Sequence, residues 1–376
     1  MRLALIRHVV AATNLLCSAA FAADIVIGQV APLKPENSPG NQLRTGAQAY
    51  FDRVNDTGGV HGARLRFVAA DRETGGRDAV EKSRQLIRDE DPVALVALLG
   101  TGAMEELVAS KILEDYGVPV VGVRSGALSL HRTYNRYLFH TRASYKLELE
   151  KIVTLLATNG LNRVAVLHED SSFGRVALEQ LKEVVASQPS ISITGTATYP
   201  ADTTDVAIAV GTIKRLKPQA VVALASSVAT AEFYKSFRQQ GGSASVYALS
   251  LVDAAEVTAR IGPKAAKGLI VAQVVPDPVN DAVPLIKDLR RDVARYAKPQ
   301  MQITQAVVEG YLAAKVLVEA LRRAGPGPSR TKVIAALESM RSYDAGGIVI
   351  GFTGQSHAGS KYVDLAIMLE SGRLMR

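Results

Sequence analysis

VALVALLGTGAMEELVASKILEDYGVPVVGVRSGA, residues 93–127, decides how the chain folds. Its first seven residues form a continuous apolar run, which suits a parallel strand covered on both faces. Gly100-Thr101-Gly102 then turns the chain into a helix expected over 104–116. Gly117 stops that helix, because glycine accepts the left-handed conformation needed just beyond a helix end. A second apolar strand, 118–123, follows at once and leads into Arg124-Ser125-Gly126. Strand, helix and strand in close succession make a βαβ unit, and its crossover is right-handed.

The same grammar extends both ways. Upstream, 24–30 reads as a strand, followed by a loop with Pro32, Pro35, Pro39 and Gly40. A helix over 41–55 carries Leu43, Ala47, Phe51 and Val54 on one face, then come a strand at 65–71 and a helix at 79–88. Downstream, helices are expected over 147–159, 173–187, 204–216 and 229–240, interleaved with strands at 163–168, 191–196, 220–225 and 245–249. A strand at 268–275 follows, helices dominate 282–340, and short strands near 347–350 and 363–369 close the chain. Such alternation predicts an α/β protein with two doubly wound parallel-sheet lobes.

The first 22 residues, MRLALIRHVVAATNLLCSAAFA, combine Arg2 and Arg7, an apolar stretch and a small-x-small site at Ala20-Phe21-Ala22. They read as a cleavable secretory signal, with cleavage before Ala23. Cys17 is the single cysteine of the chain and leaves with that signal, so no thiol nucleophile, thiolate metal site or disulfide remains. The other 354 residues suffice for two domains. The formal charge of +8 is scattered over helix faces, and Trp is absent, so nucleic-acid binding lacks both the clustered charge and the stacking aromatics it needs.

Catalytic constellations are missing from the sequence. His61, His131, His140, His168 and His357 form no HExxH or other close ligand pair, which leaves no local case for a metal. There is no G-x-S-x-G elbow and no G-x-x-x-x-G-K-[ST] loop. Gly100-Thr101-Gly102 is no dinucleotide fingerprint either, because Glu105 stands where a third glycine belongs. No cofactor is expected. Two uses of this corner stay open: a tight turn without a ligand, or a ligand site, since guests of open α/β sheets sit beyond the carboxyl ends of strands. Helix starts there favour anions. Ser125 and Gly126 form a second such corner on the neighbouring strand, so one carboxylate could be held between the two. Arg124 is either its counter-charge or an ordinary surface arginine.

Several stretches resemble the branched-chain amino-acid binding proteins, the type I periplasmic solute receptors of ABC importers. They are IGQVAPL (27–33), TGAQAYFDRVNDTGGVHGARL (45–65) with the strand-end Asp71, LEDYGVPVVGVRSGA (113–127) and AVLHEDSSFGR (165–175). The pattern N-x-x-G-G-[IV]-x-G is present as Asn55, Gly58, Gly59, Val60 and Gly62. The resemblance implies two lobes joined by a three-strand hinge, with crossovers near 142–145, 273–276 and 343–352. The lobes would then be 23–142 with 275–342, and 143–274 with 343–376.

By the same resemblance, ligand contacts fall on Gly102, Ala103, Ser125 and Gly126 in the first lobe, with Thr101 supplying a hydroxyl and Pro39 at the rim. Phe173, Ser227, Ser250 and Leu251 face them from the second. Tyr145, just after a crossover, is placed to wall the cleft. Amino-acid binders of the family carry a carboxylate for the ligand's ammonium near position 251; here that residue is Leu251, and the nearest acid is Asp253. Phe173 also replaces an aromatic hydroxyl, and Ala103 a serine. The departures favour an aliphatic or aromatic carboxylate, or an amide, over a standard amino acid. The implied protein is a periplasmic, monomeric, non-enzymatic receptor that delivers a small solute to an ABC permease in the inner membrane. A ligand sensor acting on a regulator is the alternative, and an α/β enzyme the third reading.

Overall fold

The computed structural model describes residues 23–73, 78–132, 134–297 and 302–376. The expected signal, 1–22 with Cys17, lies outside the described residues. The chain begins with β1 (Ile25–Ala31), α1 (Pro39–Asp56), β2 (Leu65–Asp71), α2 (Ala79–Glu90), β3 (Ala94–Leu99), α3 (Thr101–Ala109) and α4 (Ile112–Tyr116). Then come β4 (Val120–Arg124), α5 (Leu128–His131) and β5 (Leu138–Phe139). These strands form one sheet in the order β2-β1-β3-β4-β5, and every neighbouring pair is parallel.

The second lobe starts with α6 (Tyr145–Thr158), β6 (Arg163–Asp170), α7 (Ser172–Ala186), β7 (Ser192–Pro200), α8 (Ala207–Leu216) and β8 (Ala220–Leu224). It continues through α9 (Ser227–Gln239), β9 (Ser245–Ala248), α10 (Ala254–Ile261), α11 (Pro263–Ala266) and β10 (Ile270–Gln273). The chain then returns to the first lobe as α12 (Pro284–Tyr296), α13 (Gln305–Ala324) and α14 (Arg330–Glu338). A small hairpin of β11 (Tyr343–Asp344) and β12 (Val349–Ile350) precedes β13 (Asp364–Met368) and β14 (Leu374–Met375). The second sheet runs β14-β13-β10-β9-β8-β6-β7.

Three details differ from the sequence reading. First, the sheet is mixed: β13 runs antiparallel to β10, and β14 antiparallel to β13. An apolar pattern carries no sign of strand direction, so it reads the same either way. Second, the helix expected over 104–116 breaks into α3 and α4 at Lys111, whose backbone is left-handed (φ 59°). Third, residues 343–352 stay with the first lobe. Ala345, Ile348, Ile350 and Phe352 share an apolar cluster with α1, α12, α13 and α14, and His140 bridges to Ala358. The third crossover therefore falls later, before β13.

A second apolar cluster is continuous between the lobes. It runs from Leu95, Leu98 and Val120 through Leu130, Leu138 and Tyr145 into Leu149, Val166, Leu181 and Val222. Helix α13 explains why the segment from α12 to β12 belongs to lobe 1: it is buried almost all round, as a helix flanked by apolar neighbours on every side must be. Several helices begin earlier than periodicity implies because serines cap them. Ser144, Ser171 and Ser226 accept from the N–H groups of Leu147, Gly174 and Ala229, satisfying otherwise orphaned donors. Each of these starts lies at the carboxyl end of a strand or just past a crossover, so helix N-termini converge where the lobes face each other.

Candidate functional site

In the first lobe the two sequence corners meet. The chain leaves β3 into α3 at Thr101, and leaves β4 through Ser125 and Gly126. The Thr101 and Ser125 hydroxyls lie 2.8 Å apart in a buried hydrogen bond, with Ser125 fully buried. Tyr145, the first residue of α6, closes over them. Its N–H donates to Gly126 O at 2.7 Å, and its ring lies so close to Gly126 that a Cβ there would sit 2.5 Å from Cδ1. Burial raises the Tyr145 hydroxyl pKa. The nearby Arg142 charge and contacts with Thr101, the Gly126 backbone and Ser125 pull the other way.

Phe173 reaches the same cluster from α7, edge-on to Tyr145 with ring centroids 5.4 Å apart. Beside it, Ser172 donates across the lobes to Glu105 Oε2 at 2.6 Å. Gly102 faces Ser172 at van der Waals distance, and Ala103 is buried behind it. Thr101, Gly102, Ser125, Gly126, Tyr145 and Phe173 are therefore brought together. Pro39 stands apart, exposed at the start of α1.

The second-lobe residues form their own group. The Ser227 hydroxyl accepts from Asp253 N at 3.0 Å and donates to Leu251 O at 3.3 Å. Ser250 is buried and bonded through its hydroxyl to Arg142, while its N–H donates to Glu148 at 2.7 Å. Leu251 presents an apolar, half-buried side chain. Asp253 uses both carboxylate oxygens: Oδ1 accepts from Ala255 N and Glu256 N, and Oδ2 from Gln305 N at 2.7 Å. It thus caps α10 and ties that helix to the start of α13 in the opposite lobe. Burial raises its pKa, and these backbone donors oppose the rise.

Sequence reasoning missed the charges beneath the site. Arg142, in the first crossover, bonds Glu148 of α6 at 3.0 Å and Glu309 of α13 at 3.2 Å. Arg124 is not on the surface: it is buried and bonds Glu309 at 3.0 Å. Burial works against the Arg142 charge, but Glu309 and Glu148 outweigh it and hold its pKa above the usual arginine value. Two arginines and two glutamates cancel, so the cluster joins both lobes at the hinge without offering a spare charge. Periodicity marks Glu309 only as an acid within an apolar helix. The one available signal was that a charge on such a face needs a buried partner.

Among the described residues no cluster of three or more His, Cys, Asp or Glu could hold a metal ion. No described helix is long and apolar enough to cross a membrane. A surface hollow of about 300 Å³, lined by Lys111, Tyr134, Arg136 and Tyr137 among others, lies at the end of the first sheet opposite the strand tips.

The strand tips and helix starts of the two lobes thus face one another, with Arg142 and Glu309 bonded beneath them. A family model described as periplasmic binding protein matches residues 24–372. The chain belongs to the periplasmic binding protein family. A substrate-binding periplasmic protein from Ralstonia solanacearum is 33% identical, with TM-score 0.88 over 94% of this chain and 99% of the other. An extracellular ligand-binding receptor from Verminephrobacter eiseniae is 28% identical, with TM-score 0.88 over 94% and 100%. Among curated relatives, Leu/Ile/Val-binding protein homolog 3 of Brucella melitensis is 26% identical over 187 residues, 49% of this chain and 50% of that protein. The match thus spans about half the length of that curated relative. Within this periplasmic binding protein, Thr101, Ser125 and Gly126 of one lobe and Phe173, Ser227 and Ser250 of the other lie just past strand ends.

Proposed function

We propose that this protein is the exported, monomeric receptor of an ABC importer, and that its guest is a small organic carboxylate or amide without an ammonium group. The observation that carries the reading is Asp253. Position 251 offers no acid, and the nearest carboxylate is occupied by three backbone N–H groups. The remaining deep acids, Glu148 and Glu309, are neutralised by arginines. An ammonium brought to this wall would be desolvated without a partner, at a cost of several kcal/mol. The opposite wall supplies what an anion needs: the hydroxyls of Thr101 and Ser125, the Gly126 N–H and the positive end of α3.

The type I fold admits both kinds of guest. A branched-chain amino-acid transporter structure from Thermus thermophilus contains bound valine, and a solute-binding protein from R. palustris is in complex with benzoate, each 18% identical to this chain. One observation favours a second reading. Glu105, at the cleft rim, accepts from the hydroxyls of Ser129 and Ser172 and has no cation beside it among the described residues, so an amino acid could pair its ammonium there.

Native mass spectrometry of protein purified without unfolding separates these readings, because a closed cleft retains its guest. A retained acid or amide lacking an amino group is the expected finding. A retained branched-chain amino acid would transfer the ammonium to Glu105 and end the carboxylate reading.

A further inference from the structure

Behind the Ser125–Gly126 corner lies a pair of stacked histidines. His131, at the end of α5, places Nε2 3.0 Å from Ser125 O. Its ring stacks on His140, with centroids 3.7 Å apart and planes inclined by 24°. His140 in turn places Nε2 2.9 Å from Leu130 O. Its backbone N–H donates to His357 O, and its carbonyl accepts from Gly359 N. The pair is therefore anchored to the first crossover, two residues before Arg142, and to the segment leading into the third.

A carbonyl oxygen only accepts, so each Nε2 must carry the hydrogen and each ring is neutral or cationic. Burial favours neutrality: it lowers the His131 pKa to about 4, the Ser125 carbonyl opposes it, and Arg142 adds to the lowering. His140, more deeply buried and next to His131, is lowered as well.

The consequence lies in the peptide between Ser125 and Gly126. In a trans peptide the C=O and N–H point in opposite directions. With Ser125 O fixed toward His131, the Gly126 N–H is turned the other way, toward the Tyr145 hydroxyl. Glycine on the far side of a peptide bond makes rotation of that plane easy, because no Cβ resists it. We propose that His131, braced by His140, is a positioning residue that fixes this peptide so that the Gly126 N–H and the Ser125 hydroxyl both face the guest. The proposal rests on the carboxylate reading only for the identity of the guest, not for the orientation of the peptide.

Two variants separate its parts. His131→Phe keeps a flat ring against His140 and removes the donor, while His131→Gln keeps an N–H within reach. With 4-methylpentanoate as probe, and leucine titrated in parallel, calorimetry should show His131→Phe binding about tenfold more weakly, as for a lost hydrogen bond at a buried site. His131→Gln should recover most of that loss. In a Ser125→Ala background the His131→Phe loss should shrink, because the two residues act through one corner. Equal affinity for His131→Phe and the parent, or strict additivity with Ser125→Ala, would overturn the proposal. A crystal structure of ligand-free His131→Phe is decisive even if neither probe binds: a rotated Ser125–Gly126 peptide is expected, and a peptide in its original orientation rejects the idea. Failure of the carboxylate reading alone would appear as leucine binding with the same His131 dependence.

Discussion

Replacing Arg142 with methionine is expected to lower the unfolding free energy by about 3–5 kcal/mol, the usual cost of stranding a buried charge. Methionine fills similar space, so the loss isolates the electrostatics. Without the guanidinium, Glu148 is left fully buried with the Ser250 N–H as its donor, and Glu309 retains Arg124. Urea unfolding at pH 7 reads the effect. The pH dependence has a definite sign. Burial already pushes the Glu148 pKa upward, and Arg142 is the main opposing influence. In the variant the folded pKa rises further above the unfolded one, so the folded form binds the extra proton, and the penalty shrinks as pH falls from 7 toward 5. Adding Glu148→Gln should restore part of the loss at pH 7. A single-variant loss below about 1 kcal/mol would mean that the cluster is solvated and does not hold the hinge.

Gly126→Val is expected to weaken guest binding by more than about 100-fold, near the top of the range for forcing bulk into a packed site. A Cβ at this position would lie 2.4 Å from Tyr145 N and 2.5 Å from its Cδ1. The backbone atom belongs to the first turn of α6 and cannot yield alone, so Tyr145 would have to leave Thr101 and Ser125. Gly354, with nothing within 4 Å of a Cβ, serves as control: alanine there should leave affinity unchanged. Calorimetry on both variants, with circular dichroism to confirm folding, decides the matter. Undiminished binding by Gly126→Val would place the guest elsewhere.

These two positions show where sequence reading reaches and where it stops. Gly126 was legible because a glycine after a buried strand marks a place where something approaches the main chain. Ser125 and Thr101 were legible for a related reason: parallel strands put their carboxyl ends on one side, so residues just past them must converge, whereas Phe173 came from the family resemblance alone. Arg142 and Glu309 were not legible, because 167 residues separate them and nothing local distinguishes a paired buried charge from an exposed one. Arg124 was open for the same reason. The direction of β13 was hidden too, since alternation of side chains is identical in parallel and antiparallel strands. Ser227 and Ser250 were placed near the cleft by the family resemblance, aligned on strand ends. That their hydroxyls serve Asp253, Leu251 and Arg142 depends on contacts no spacing encodes.

Isothermal titration of the purified, ligand-stripped protein with leucine and with 4-methylpentanoate, its counterpart without the amino group, addresses the carboxylate proposal head-on. Heat and saturation with the acid, and a much weaker response to leucine, is the expected result. Tight leucine binding with silence toward the acid would contradict it, because the wall around Leu251 and Asp253 would then have to accept an ammonium.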